Sequence, residues 1–251
     1  MKQLKTGPRQ AAASPVRSMA IVLALGAAFG APQACADGTA GKADAVAVHR
    51  LAQADFARER PSPDARRMAD WIVESGDSEG MPFVIVDKVD ARVFVFDTGG
   101  RLKGASPALL GLAKGDDSVP GIGSRKLSSI LPGERTTPAG RYLAARGRNL
   151  QGGDIIWIDY QNAVSLHPVV TSNAKERRAQ RLASASPLDN RISYGCINVP
   201  ATFYAGVIGP AFQHSSGIVY VLPETRALDT VFAALRARVN PAPDTTRPAP
   251  N

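Results

Sequence analysis

Two consecutive runs, PFVIVD (82–87) and RVFVFD (92–97), constrain this chain more than any other stretch. Both are rich in β-branched and aromatic residues, a short polar connection separates them, and Asp97-Thr98-Gly99-Gly100 follows as a turn. Apolar residues fill successive positions rather than alternate ones, so both faces of the sheet they build must be covered. RLKGASPALLG, GRYLAA, DIIWIDY, AVSLH and GIVYVL supply further short strands. Many short strands punctuated by Gly and Pro predict a mainly β fold of sandwich or barrel type with irregular loops, here over 81–224.

Helices are expected at the ends. Residues 37–80 form a helical N-terminal segment, with 42–76 its helical part and Ser62-Pro63 a start signal of cap plus first-turn proline. Ala65, Met68, Ala69 and Ile72 follow the spacing of one buried face, and Trp71 borders it, placed to pack on the following domain. His49 reads as a surface histidine. Shorter helices are expected at 174–183 and 201–208. A C-terminal helix is expected over 225–239, with Leu228, Val231, Phe232 and Leu235 on one stripe. The tail NPAPDTTRPAPN (240–251) has nothing to bury and is predicted to be disordered.

The N-terminus predicts export. Lys2, Lys5, Arg9 and Arg17, with no acid through residue 36, precede the apolar run Met19–Ala31. That run is shorter than the roughly 20 apolar residues a bilayer span needs. Ala34-Cys35-Ala36 then supplies a small-x-small cleavage signal, making 1–36 a signal peptide rather than a retained anchor and Asp37 the new N-terminus. Pro32-Gln33-Ala34 lacks the apolar residue of a lipoprotein site at Cys35. Cleavage leaves 26 of the 30 lysines and arginines against 22 acids, so the formal charge falls from +8 to +4. That excess fits attraction to an anionic polymer. Basic runs interleaved with aromatics are absent, so nucleic acid is not expected, nor is a stable membrane span after cleavage. The remaining chain, 44% hydrophobic by the composition of the whole, should form one domain with a sizeable core.

Export also fixes the cysteine arithmetic. Of two cysteines only Cys196 remains, so no internal disulfide can form. An unpaired thiol in an oxidising compartment indicates intermolecular pairing or a reactive group, whereas a buried inert cysteine is the bland alternative. The surroundings favour chemistry. Gly195 removes a neighbouring side chain and admits unusual backbone geometry, and the N–H groups of Tyr194, Gly195 and Cys196 could converge on an oxyanion. Three histidines are candidates for the base a thiol needs. In AVSLHP, alternation puts Val164 and Leu166 on one face and Ser165 and His167 on the other, and Pro168 leaves His167 at a strand end. His214 sits in the turn-like AFQHSSG and should face solvent. Gly121-Ile122-Gly123 lacks the rest of a dinucleotide fingerprint, and no His, Cys, Asp or Glu cluster has metal-ligand spacing.

SLHP followed by ISYGCINV resembles the paired signature of the L,D-transpeptidase (YkuD-type) catalytic domain: a histidine, a spacer, then Ser/Thr-His-Gly-Cys-hydrophobic-Asn or Arg. VDKVDARVFVFDTGGRL is similar to that family's opening hairpin and GERTTPAGRY to its Thr-Pro-x-Gly segment, so the resemblance covers roughly 81–223. It implies a β-sandwich-like domain of mixed sheets whose cysteine, at the base of a cleft, attacks peptidoglycan stem peptides. A thioester acyl-enzyme forms, and an amine or water resolves it. By position, Cys196 matches the nucleophile and His167 the acid/base, while Ser193 and Gly195 match the fixed small residues. Asn198 matches the polar position two beyond the cysteine, as a brace of the turn or an ordinary strand-edge asparagine. No metal or organic cofactor is implied, carbapenem-type inhibitors are expected, and the location implied is the periplasm or cell envelope.

Two departures stand out. Tyr194 replaces the histidine before Gly-Cys, and the spacer is long. Residues 173–191 carry Arg178, Arg181 and Arg191 as candidates to bind stem-peptide carboxylates, against the alternative of a solvated helix with a charged face. Two rival readings remain open: a peptidoglycan-binding protein without turnover, and a thiol redox protein, the latter disfavoured by the lack of a CxxC pair.

Overall fold

The computed structural model describes residues 53–235. The leader 1–36, His49 and the tail 240–251 lie outside them. Ten strands are described: β1 (Phe83–Asp87), β2 (Arg92–Phe96), β3 (Leu102–Pro107), β4 (Leu110–Gly111), β5 (Gly140–Arg148), β6 (Asp154–Asp159), β7 (Val164–Pro168), β8 (Arg191–Ser193), β9 (Ile197–Val199) and β10 (Gly217–Val221). Eight of them make one mixed sheet in the order β3-β2-β1-β10-β5-β6-β7-β9, while β4 and β8 pair separately. Pairings β1/β10, β7/β9 and β4/β8 are parallel. The chain leaving β3 at one edge reaches the other edge. There Leu109 exchanges two backbone hydrogen bonds with Asn198 of β9, at 2.8 and 2.9 Å, and nearly closes the sheet. The mainly β architecture with mixed sheets is therefore observed.

The doubly apolar strands have the two covered faces their sequence requires. Val84, Val86, Val93, Val95, Val219 and Val221 point into the core enclosed by the curled sheet. Phe83, Ile85, Phe94, Phe96, Ile218 and Tyr220 point the opposite way, into a second core beneath helix α1 (Pro63–Ser75). Register keeps the two sets apart, with Phe83 opposite Phe96 and Val84 opposite Val95. The Phe83 and Phe96 rings stack at 4.7 Å.

Helix α1 starts where the sequence signals it. Ser62 caps it, its Oγ accepting from the Ala65 N–H at 3.1 Å, and Ala65, Met68, Ala69 and Ile72 are fully buried. Trp71 joins the same core. The helix does not extend back through the described residues before it. Pro61 and Pro63 disfavour the helical region for the residues they follow, and Asp55 bridges Arg101 while Ala54 and Phe56 enter the core. The C-terminal helix is shorter than expected. The segment α5 (Leu228–Val231) ends at Phe232, whose φ of −112° and ψ of 74° leave the helical region, and a 3-10 turn, Ala233–Leu235, follows. Leu228, Phe232 and Leu235 still cover the α1 core.

Both internal helical stretches form. Ala174–Glu176 is a 3-10 turn, and Arg177, with a left-handed φ of 50°, separates it from α2 (Arg178–Leu182). α3 (Ala201–Phe203), a π turn (Tyr204–Ile208) and α4 (Gly209–Ala211) run on without a break. Among the described residues, no helix is long and apolar enough to cross a membrane.

A buried ionic cluster ties the irregular loops to this frame. Lys88, fully buried, donates from Nζ to Asp116 Oδ1 at 2.7 Å and to the carbonyls of Gly115 and Thr137 at 2.6 and 2.8 Å. Asp116 also accepts from the backbone N–H groups of Glu224, Thr225 and Arg226. Arg191 pairs with Glu224 and donates to the Lys88 carbonyl at 2.7 Å. Burial pushes the Lys88 ammonium down, and Asp116 and Glu224 offset this only in part. For Asp116 burial acts upward, yet the bonds from Lys88, Thr225 and the backbone win and hold its carboxyl far below the usual range. A carboxyl depressed in this way stabilises the fold above its unfolded value near ~3.9, and that contribution fades only in stronger acid. Removing one partner strands a buried charge, so Lys88→Met should lower unfolding free energy by ~3–5 kcal/mol at neutral pH, read by chemical denaturation. A loss below ~1 kcal/mol would show that the cluster does not hold these loops.

Candidate active site

Strand alternation delivers the first two side chains. Ser165 and His167 lie on one face of β7, and the parallel register of β9 sets Asn198 directly beside His167. Cys196 lies in the turn 194–196 between β8 and β9. That turn exists because of Gly195. Its φ is 129°, where a side chain is strained, and an added Cβ would stand 2.7 Å from the Thr136 carbonyl oxygen. Ser193 cinches the turn, its Oγ accepting from the Gly195 N–H at 3.0 Å and donating to the Cys196 carbonyl at 2.6 Å. From outside, Thr137 Oγ1 accepts from the Gly111 N–H and donates to the Gly195 carbonyl, both at 2.9 Å.

The sulfur is half-buried in a cleft of about 350 Å³ whose lining includes Leu127, His167, Ser193, Tyr194 and Asn198. Ser165 Oγ donates to Sγ at 3.5 Å, and Sγ lies 3.5 Å from the Ala163 carbonyl. His167 Nδ1 sits 2.8 Å from the Pro168 carbonyl, which can only accept, so Nδ1 carries the proton and Nε2 is left as the base. Asn198 Nδ2 stands 3.2 Å from that Nε2. Burial pushes the Cys196 thiol up, but the hydrogen bond and charge of His167, with help from Ser165, outweigh it and the thiol titrates below its ordinary value. Burial likewise pushes the His167 imidazolium down, and the Cys196 thiolate and Pro168 carbonyl reverse this and raise it. The two shifts are reciprocal, each group favouring the charged form of the other.

The predicted residues separate into two groups. Cys196, His167, Ser193, Tyr194, Gly195 and Asn198 converge on one site. The Gly195 N–H is engaged by Ser193, which removes it from the three oxyanion donors that the sequence suggests. Asn198 is wholly buried, bonded to the site rather than standing at an open edge. Of the arginines only Arg178 lines the cleft. Arg181 donates to the carbonyls of Glu176 and Asp189, and Arg191 belongs to the buried ionic cluster, so neither faces the sulfur. His214 is exposed, on a loop before β10, and does not line the Cys196 cleft. Lys88 supports the turn without any local sequence signal, Thr137 lies in the TTPAG segment without a signal that singles it out as a residue, and Ser165 could have been found from its alternation with His167. Among the described residues, no group of three or more His, Cys, Asp and Glu side chains could hold a metal ion.

A mainly β protein with a half-buried thiol, an adjacent imidazole and a hydroxyl on the sulfur presents a candidate cysteine–histidine site. No family model matches the chain, and no curated protein does. Among solved structures it is similar to the helical cell shape determining protein Pgp2 from Campylobacter jejuni, at 17% identity and a TM-score of 0.39 over 58% of this chain and 49% of that one. The K307A mutant of Pgp2 matches at 16% and 0.39, covering 71% of this chain and 63% of that one. The catalytic domain of the E. faecium L,D-transpeptidase matches at 17% and 0.29, covering 56% and 96%. The chain thus spans about half the length of the Pgp2 structure.

The pair makes a direct prediction about pH. Iodoacetamide should alkylate Cys196 with a midpoint well below the ordinary thiol value of about 8.5. In His167→Ala only Ser165 still opposes burial, and the midpoint should rise toward that value or beyond, read as rate against pH by intact mass. Equal midpoints in the two proteins would rule out the coupling.

Proposed function

We propose that the chain is an exported cysteine acyltransferase that acts on peptidoglycan stem peptides as an L,D-transpeptidase. The observation that supports it most is the Cys196–His167 pair, proton-coupled and open to a cleft. The thiolate attacks the carbonyl of the diamino acid, and the resulting oxyanion is met by the Tyr194 and Cys196 N–H groups. As the carbon–nitrogen bond breaks, the His167 imidazolium gives its proton to the departing D-amino acid, leaving a thioester. An amine or water then attacks that thioester, His167 takes the proton back, and the thiolate leaves. Peptidoglycan as substrate rests on the sequence likeness of SLHP, ISYGCINV and the TTPAG segment, which the fold gathers around one sulfur.

Room for two reactants supports transfer. His167 lies in the wall of a second cavity of about 680 Å³, bordered by Arg146, Asp154, Pro168 and Tyr204, so the imidazole borders both this space and the Cys196 cleft. Cross-linking, exchange and trimming differ in what enters there.

A carbapenem should add once to the intact protein by acylating Cys196, and Cys196→Ala should abolish the adduct. His167→Ala should slow acylation by about 10²–10⁴-fold. Purified muropeptides resolved by mass should yield a product lacking its terminal D-amino acid. A folded wild type that neither takes the adduct nor alters any muropeptide would end this reading.

A further inference from the structure

Arg178 comes from the 173–190 segment, yet its contacts lie inside the catalytic site rather than toward solvent, and its side chain is only 14% exposed. Glu176 holds Nε, while Nη1 donates to Asn198 Oδ1 at 2.5 Å. A guanidinium has donors only, so the atom facing it must be the amide oxygen. The backbone of Asn198 cannot yield either, since its N–H and C=O are both bonded to Leu109. The amide NH₂ is therefore turned inward, to His167 Nε2 at 3.2 Å and the Cys196 carbonyl at 3.4 Å.

We propose that Arg178 is a positioning residue that locks the Asn198 amide with its N–H groups toward His167, and so denies the imidazolium Nε2–H any acceptor except the sulfur and the reacting groups. If the amide rotated, its oxygen would sit where Nδ2 now does and would accept from Nε2–H. The imidazolium would then be stabilised in a bond unrelated to the reaction, and its proton would be withheld from the leaving amine. The Arg178 charge acts in the same direction, since a nearby cation disfavours a second one on the ring. Its charge lowers His167, against the raising influence of Cys196. The other ionisable groups lining the two cavities that His167 borders are Glu176, already paired with Arg178, Arg146 and Asp154, which pair with each other at 2.7 Å, and the phenols of Tyr194 and Tyr204. This inference rests on His167 serving Cys196, and it makes the long spacer a functional part of the site.

The test is an NMR titration of the His167 imidazole in the full chain, with wild type, Cys196→Ala, Arg178→Gln and Arg178→Lys compared. Arg178→Gln should raise the His167 midpoint by about half a pH unit or more, because the cation is gone and the amide is free to turn. Arg178→Lys keeps a cation and a donor for Oδ1, and its midpoint should return to within a few tenths of wild type. Arg178→Met repeats the measurement should the glutamine variant fail to fold. An unchanged midpoint in a folded, uncharged variant overturns the proposal. Failure of the underlying site reads differently: the His167 midpoint would then be the same in Cys196→Ala as in wild type, whatever the Arg178 variants do.

Discussion

Everything at the site follows from the parallel pairing of two short strands. β7 and β9 bring His167 and Asn198 to the same register, and in a pleated sheet equal register means the same face. Were β9 to slip by one residue, Ile197 or Val199 would turn toward the imidazole and Asn198 would turn into the hydrocarbon core. Three residues of pairing would fix that register weakly if β9 were a free edge. It is not free: Leu109, arriving from beyond β3, bonds Asn198 from the other side, so the residue that most needs an exact place has both its backbone groups taken. The near-closure of the sheet and the precision of the site are one fact.

A nucleophile on a turn needs a second kind of support, because a turn has no ladder of its own. Here the support is polar and layered. Ser193 closes the turn from within, Thr137 holds the Gly195 carbonyl from outside, and the Thr137 carbonyl in turn accepts from buried Lys88. Arg191, first residue of the strand leading into the turn, reaches the same cluster through Glu224. Buried charges are costly to place, and a well-packed apolar substitute can match their stability. Their use here makes sense as register control: loops from opposite ends of the chain meet at directional bonds that tolerate little displacement, and the cysteine turn inherits that rigidity.

The sequence made some of this legible and hid the rest for physical reasons. Continuous apolar runs announced sheet faces covered on both sides, and the valines and phenylalanines do divide between two cores. The cap at Ser62 and the face of α1 were equally plain, because helical signals act within a few residues. Residues 53–62 were misjudged as helical, since the two prolines that break the helix there stand beside tertiary contacts, the pairing of Asp55 with Arg101 and the burial of Phe56, that decide their course. At the site, Cys196 and His167 stood out by chemistry and local pattern. The arginines of the spacer could be seen as a charge cluster but not sorted, because each is assigned by what it meets: Arg191 meets Glu224, Arg181 meets carbonyls, and Arg178 meets Asn198. Lys88 was invisible for the same reason, as its partners stand 28 and 49 positions away in sequence.

Tyr194 is where this chain departs from the motif it resembles, and the geometry suggests why the departure is tolerable. The Arg135 guanidinium lies 4.0 Å above the tyrosine ring and is itself held by the Ile130 carbonyl. A ring face occupied by a cation is attracted by the ring quadrupole and fixed as a wall of the cleft. Proton traffic at the sulfur already has its groups in Ser165, His167 and the Pro168 carbonyl, none of which involves the residue before glycine. In the mechanism proposed above, position 194 supplies only a backbone N–H, and the backbone there is set by Gly195 and Ser193 rather than by its own side chain. The side chain is then free to shape the cleft wall, so the motif's histidine can change to tyrosine while the thiol and its base keep their geometry.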